Sequence, residues 1–130
     1  MSNVKAGLKY SKEHEWVEVI GDHRVRIGIT DYAQHSLGDI VFVELPTVGD
    51  TVEADESMGT VESVKAVSDV YSPVSGNVVE VNDTLEDEPE IVNNAPFEAG
   101  WMAVIEINDP SELDNLLTAE QYEALIQEEE

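Results

Sequence analysis

A mainly β fold with short helical pieces at its edges is predicted by three features of the sequence. β-Branched runs recur between Gly, Pro and Asp turn signals, a strand–turn–strand pattern occurs twice, and the helix-starting signals introduce only short segments.

Taken in order, residues 16–20 and 25–29 are β-branched runs joined across Gly21-Asp22, the pattern of a hairpin. Thr30-Asp31 reads as a helix cap, with a short helix over 32–37 stopped by Gly38. Residues 40–43 are apolar on both parities, which predicts a strand buried on both faces. Residues 101–107 form a further strand candidate, and Trp16 and Trp101 read as core residues. Asp109-Pro110 caps a short turn of helix, because proline is tolerated at the first helical position. Thr118 with Gln121 resembles a capping box, and Tyr122, Leu125 and Ile126 give the following helix one apolar stripe. The three terminal glutamates read as a frayed end.

Between these elements the chain repeats itself. Residues 43–55 and 70–82 align at an offset of 27, with valine, proline, glycine, a second valine and glutamate identical at five of thirteen positions. Asp50/Asn77 and Asp55/Asn82 are close substitutions at turn positions. Each copy reads as strand, proline-glycine turn, strand. Two copies are too few for a solenoid, but they can pair about a pseudo-twofold axis as facing sheets.

At 130 residues and 42% hydrophobic composition, the chain suits a single domain over 1–130 with a real core, and does not have a disordered profile. With no cysteine there is no disulfide, thiolate metal site or cysteine nucleophile. The longest uncharged stretch, residues 70–79, is broken by Pro73 and Gly76. A membrane helix needs about twice that length. Met1-Ser2-Asn3-Val4-Lys5 lacks the apolar run of a secretory signal and makes a poor transit peptide. A cytoplasmic protein is expected, or a mitochondrial-matrix one if a leader has already been removed. With 29 acidic and 6 basic residues the net charge is −23, which predicts no nucleic-acid and no membrane partner. Basic protein surfaces would be attracted, faster at low salt. Solubility, or adaptation to a salty cytoplasm, accounts for the same total.

The sequence carries no Gly-x-Ser-x-Gly elbow and no phosphate-binding glycine loop. His14, His23 and His35 lack metal-ligand spacing, so no metal is expected. Glu86-Asp87-Glu88 lacks the alternating oxygen ligands of a calcium loop and reads as a solvated loop. The basic residues are more informative. Five of the six lie in the first 26 positions, and the other 104 residues hold only Lys65 against 25 acidic side chains. Around it Val61, Val64, Val67 and Val70 recur every three residues, which fits neither a strand nor a clean helix. A phase break at a hairpin tip explains that spacing, although residues 60–70 contain no Gly, Pro or Asn. An isolated lysine is ordinarily a solvated side chain. At an exposed tip it is also an amine that a carboxylic cofactor can acylate, giving an arm on the order of 15 Å long. The carried group then supplies the chemistry.

These residues resemble the H-protein family of the glycine cleavage system, whose members carry lipoate. The resemblance rests on Glu62-Ser63-Val64-Lys65-Ala66 running through Ser68-Asp69 to Ser72-Pro73-Val74-Ser75-Gly76. His14-Glu15-Trp16, Gly28-Ile29-Thr30-Asp31, Ala33-Gln34, Leu37-Gly38-Asp39 and Val41-Phe42-Val43-Glu44-Leu45-Pro46 support it. So do Pro89-Glu90, Val92-Asn93, Gly100-Trp101-Met102, Leu116-Leu117 and Tyr122, across essentially the whole chain.

The resemblance implies a lipoyl/biotinyl-type hybrid-motif β-sandwich, a barrel-sandwich hybrid, with a C-terminal helix. It implies lipoate in an amide bond to Lys65, with Glu62, Ser63, Val64 and Ala66 as the attachment motif. Such a carrier is not an enzyme. It receives an aminomethyl group from a pyridoxal-phosphate glycine decarboxylase and passes it to a tetrahydrofolate-dependent aminomethyltransferase. It is reoxidised by a dihydrolipoyl dehydrogenase, is itself a substrate of lipoate-attaching enzymes, and is expected to be a monomer. Glu15 and Asp69 fall at family positions suited to holding the arm's amine in a cleft. Three rivals remain open. A lipoyl domain of a 2-oxoacid dehydrogenase usually shows aspartate where Val64 stands, and a biotin carrier flanks its lysine with methionines. An acidic interaction module without cofactor would tolerate Lys65→Ala.

Overall fold

A computed structural model describes residues 4–129, with Glu129 in backbone only. Met1-Ser2-Asn3 of the N-terminal reading and Glu130 of the terminal glutamates lie outside the described residues. The strands are β1 (Lys9–Tyr10), β2 (Glu15–Val19), β3 (Arg24–Ile29), β4 (Ile40–Glu44), β5 (Thr51–Val52), β6 (Ser57–Ser63), β7 (Val67–Tyr71), β8 (Gly76–Val81) and β9 (Ala103–Ile107). The helices are α1 (Asp31–Leu37), α2 (Thr84–Asp87), α3 (Ile91–Asn94) and α4 (Ala119–Glu129), with a 3-10 turn at Pro110–Asn115. One antiparallel sheet has the order β1-β2-β3-β9-β8-β5, and a second has the order β4-β6-β7. Val17, Val25, Ile27, Val78 and Ile105 of the first sheet meet Ile40, Val43, Val61 and Val70 of the second in one apolar core. The mainly β prediction with helices at the edges holds.

The local signals act as their chemistry requires. The β2–β3 hairpin pairs Glu15 with Ile29 through Val19 with Val25. Thr30 accepts from the Ala33 N–H to cap α1, and Gly38 ends that helix at φ +84°, where a side chain would be strained. Asp109 accepts from the Ser111 N–H. Thr118 and Gln121 exchange side-chain-to-backbone bonds at 3.0 and 3.2 Å, a complete capping box. Tyr122 and Ile126 of α4 are buried, and the Tyr122 ring stacks on Tyr10 at 4.5 Å.

Three expectations need correction. β4 is not buried on both faces: Ile40 and Val43 are buried, but Val41 and Phe42 are 49% and 48% exposed. The strand lies at the edge of a three-stranded sheet with one covered face, and a register shift between Ile40 and Phe42 puts two apolar side chains outside. Trp101 precedes β9 and is only partly buried, with the Arg26 guanidinium 5.4 Å from its ring, whereas Trp16 is fully buried. Glu86 and Asp87 lie on α2, not in a loop, because Leu85 inserts into the core and winds the segment into a helical turn.

The repeated segments form β4–turn–β5 and β7–turn–β8. β5 pairs with β8, Thr51 opposite Asn77, and the Val78 N–H donates to the Asp50 carbonyl at 2.8 Å. Under the offset of 27, residue 50 corresponds to 77 and 51 to 78. The two pairings therefore exchange with one another, as about a local twofold.

Candidate functional site

Residues 64–66 form the tip of the β6–β7 hairpin, with Lys65 exposed at its apex. No glycine or proline makes this turn; Ser63 does. Its buried hydroxyl oxygen accepts from the Lys65 N–H at 3.2 Å and the Ala66 N–H at 3.0 Å, while its own N–H donates to the Ala66 carbonyl at 2.7 Å. The tip is braced from a second direction by the Val64 N–H, which donates to the Asp39 carbonyl at 3.1 Å. Asn93 of α3 fixes that connection in turn. Its Oδ1 accepts from the Ile40 N–H at 2.8 Å, and its Nδ2 donates to the Gly38 carbonyl at 2.9 Å and to Gln34 Oε1 at 2.8 Å. The lysine stem passes over Gly38, where a Cβ would meet Lys65 Cε at 3.6 Å, an ordinary contact, so it is the positive φ and not space that favours glycine at this position. Lys65 makes no salt bridge among the described residues. The arrangement is a fixed mount for a free amine.

Register defines the outward face of this sheet. Phe42, Glu62 and Val67 are cross-strand partners in one row, and Glu44, Thr60 and Asp69 form the next. Phe42 and Val67 are 48% and 65% exposed, and Val64 on the tip is 70% exposed.

Glu15 lies beside the free edge of β7 and is 2% exposed. Ser11 Oγ donates to its Oε1 at 2.6 Å, and the Tyr71 N–H donates to Oε2 at 3.2 Å. Burial pushes its carboxyl from the ordinary 4.5 up to about 8, outweighing those two bonds, with the charges of Glu13 and Asp55 adding to the rise. Glu13, Asp55 and Tyr71 line a cavity of about 170 Å³. Asp69 precedes Tyr71 by two residues, about 7 Å along the strand towards the tip.

The structure therefore gathers Glu62, Ser63, Val64, Lys65 and Ala66 at one tip, with Asp69 on the strand β7 leading from it and Glu15 of β2 bonded to that strand at Tyr71. Sequence reasoning gave no role to Ser11, Asp39, Tyr71 and Asn93, although Asp39 and Asn93 stand in the motifs that carry the resemblance. Asp39 and Tyr71 act through backbone atoms and leave no side-chain signature, while Asn93 and Ser11 act across loops. Among the described residues no group of three or more His, Asp or Glu is placed to hold a metal, and no helix is long and apolar enough to cross a membrane.

The profile of the family described as Glycine cleavage H-protein matches residues 8–129. The glycine cleavage system H protein of Halalkalibacterium halodurans is 62% identical over 129 residues, covering 99% of this chain and 100% of the relative. That of Geobacillus kaustophilus is 64% identical over 126 residues, covering 97% and 98%. The crystal structure of a glycine cleavage system H protein from Mycobacterium marinum superposes with a TM-score of 0.88 at 41% identity, covering 95% of this chain and 99% of that one.

Proposed function

The chain belongs to the glycine cleavage H-protein family, and on that premise we propose that it is a non-catalytic lipoyl carrier, with lipoate held in an amide bond to Lys65. The observation that carries this reading is the mount: a lone exposed lysine at the apex of a tip fixed by Ser63, Asp39 and Asn93. An unpaired amine projecting from rigid backbone fits an acyl acceptor. Once attached, the group supplies a reducible disulfide that takes up and gives up an aminomethyl unit.

In this reading the chain shuttles that unit from the pyridoxal-phosphate glycine decarboxylase to the tetrahydrofolate-dependent aminomethyltransferase, and dihydrolipoyl dehydrogenase reoxidises it. Residues 1–130 act as one carrier domain, monomeric and cytoplasmic. Glu62, Ser63, Val64 and Ala66 present Lys65 to the attaching enzyme. Glu15 and Asp69 hold the amine of a loaded arm against the edge of β7. Burial keeps the Glu15 carboxyl neutral near pH 7, and a cationic amine within hydrogen-bond reach favours its ionised form.

The test is intact mass with peptide mapping after co-expression with a lipoate ligase and lipoate. A single lipoyl increment on Lys65, followed by glycine–bicarbonate exchange with the decarboxylase, is expected. An unmodified chain, with the ligase active on another acceptor, would refute the carrier reading.

A further inference from the structure

We propose that the outward row Phe42–Glu62–Val67, continued by Val64 on the tip, is the docking surface for the enzyme that attaches lipoate to Lys65. The proposal rests on the carrier reading and adds the recognition surface that precedes it. The matching surface on the enzyme is an apolar patch bordered by Lys and Arg around its active-site mouth.

Two exposed apolar side chains flank Glu62 in one register row, and Val64 adds a third beside Lys65. Directly opposed Cβ atoms stand about 5 Å apart, so the row spans about 10 Å. Three large apolar side chains grouped outside a chain of net charge −23 are a contact feature, not a solubility feature. Carboxylates border them: Asp39 at the foot of β4, Glu62 within the row, and Glu44 and Asp69 in the row behind. An occupant must therefore combine apolar contact with positive charge. That excludes a second copy of this chain, whose like charge opposes approach.

Reach selects among the remaining occupants. A lysine amine extends only about 6 Å from its Cα. An enzyme that acylates this amine must close around the tip and cover the side chains beside it. Enzymes that handle the far end of a longer arm can stop short of the row.

The experiment uses the full unmodified chain with lipoate ligase, lipoate and ATP, following lipoylation of Lys65 by intact mass. Phe42→Ser and Val67→Ser are each expected to raise KM for the carrier about tenfold at unchanged kcat, as loss of a buried apolar contact does. Val19→Ser, 56% exposed on β2 of the other sheet, is expected to leave KM unchanged. A second measurement separates docking from chemistry. A Lys65→Arg chain should inhibit lipoylation of the wild type competitively, and adding Phe42→Ser should raise its Ki about tenfold. KM and Ki within twofold of the parent values would overturn the proposal while leaving the carrier reading intact. So would a wild-type dimer that Phe42→Ser dissolves. A wild-type chain that is never lipoylated would overturn both.

Discussion

Glu15 makes a pH-dependent contribution to stability that can be isolated by one substitution. Its carboxyl ionises near 4.5 in the unfolded chain and at about 8 in the folded one. Below pH 4.5 both states hold the proton and the group is neutral towards folding. Between those values the unfolded chain releases its proton and the folded chain keeps it, so stability falls as pH rises and levels off above 8. Moving the titration from 4.5 to about 8, at about 1.4 kcal/mol per pH unit, sets a ceiling of about 5 kcal/mol, a large fraction of a small domain's stability. Glu15→Gln removes the titration, while its amide still offers an acceptor to the Tyr71 N–H and a donor to Ser11 Oγ. Urea unfolding of both proteins at pH 5, 7 and 9 is the assay. Repulsion among the other carboxylates affects both curves alike and cancels in their difference. The variant should gain on the wild type by a few kcal/mol between pH 5 and 9, a midpoint difference of at least about 1 M urea. Parallel pH dependence in the two proteins would refute an elevated Glu15.

Other substitutions probe the mount and the core. Asn93→Ala removes three hydrogen bonds around the connection to the tip. It should cost about 2–3 kcal/mol and accelerate amide exchange at Val64, whereas exchange confined to α3 would contradict the bracing role. Ser63→Ala strips the acceptor from the Lys65 and Ala66 N–H groups. A loss of about 1 kcal/mol, read by chemical denaturation, with faster exchange at those two amides is expected. Gly28→Ala would place a Cβ 2.7 Å from the Trp16 ring, which is fixed by its indole N–H donating to the Pro96 carbonyl at 2.8 Å. The expected cost is about 1–3 kcal/mol with a lowered Tm, and an unchanged Tm would show that Trp16 can move aside. Acylation of Lys65 changes the count of basic residues from 6 to 5 against 29 acidic ones, giving −24. Isoelectric focusing should resolve the modified form on the acidic side, and identical migration would contradict that charge accounting.

Much of the architecture was legible because local chemistry determined it. The Thr30 cap, the Thr118–Gln121 capping box and the turns at Asp109-Pro110 and Gly38 all act within a few residues of chain. The two strand–turn–strand segments were visible as a repeat, and the phase break in the valines marked the tip. What escaped the sequence depends on contacts between distant segments. Burial of β4 on only one face follows from its place at a sheet edge, which four consecutive apolar residues do not encode. The turn at Lys65 carried no standard turn residue because a serine hydroxyl substitutes for one. Of the residues around the tip and cavity, Lys65 was legible through its isolation in charge. Tyr71 and Asp39 make their hydrogen bonds there through backbone atoms, and Asn93 acts across 53 to 59 positions of sequence.

The bond from the Tyr71 amide to Glu15 has a consequence beyond the cavity. β7 is a border strand, and an open row of amides and carbonyls is a template on which another chain can add as a further strand. The carboxyl group of Glu15 occupies one of those amides, and Asp69 places a charge on the same short strand. Both groups therefore blunt the border against intermolecular zipping, a hazard sharpened by the exposed Val67 at its start. Replacing Glu15 with an aliphatic residue would free that amide on the strand that begins at Val67, and the resulting protein should self-associate through β7 even where its fold survives.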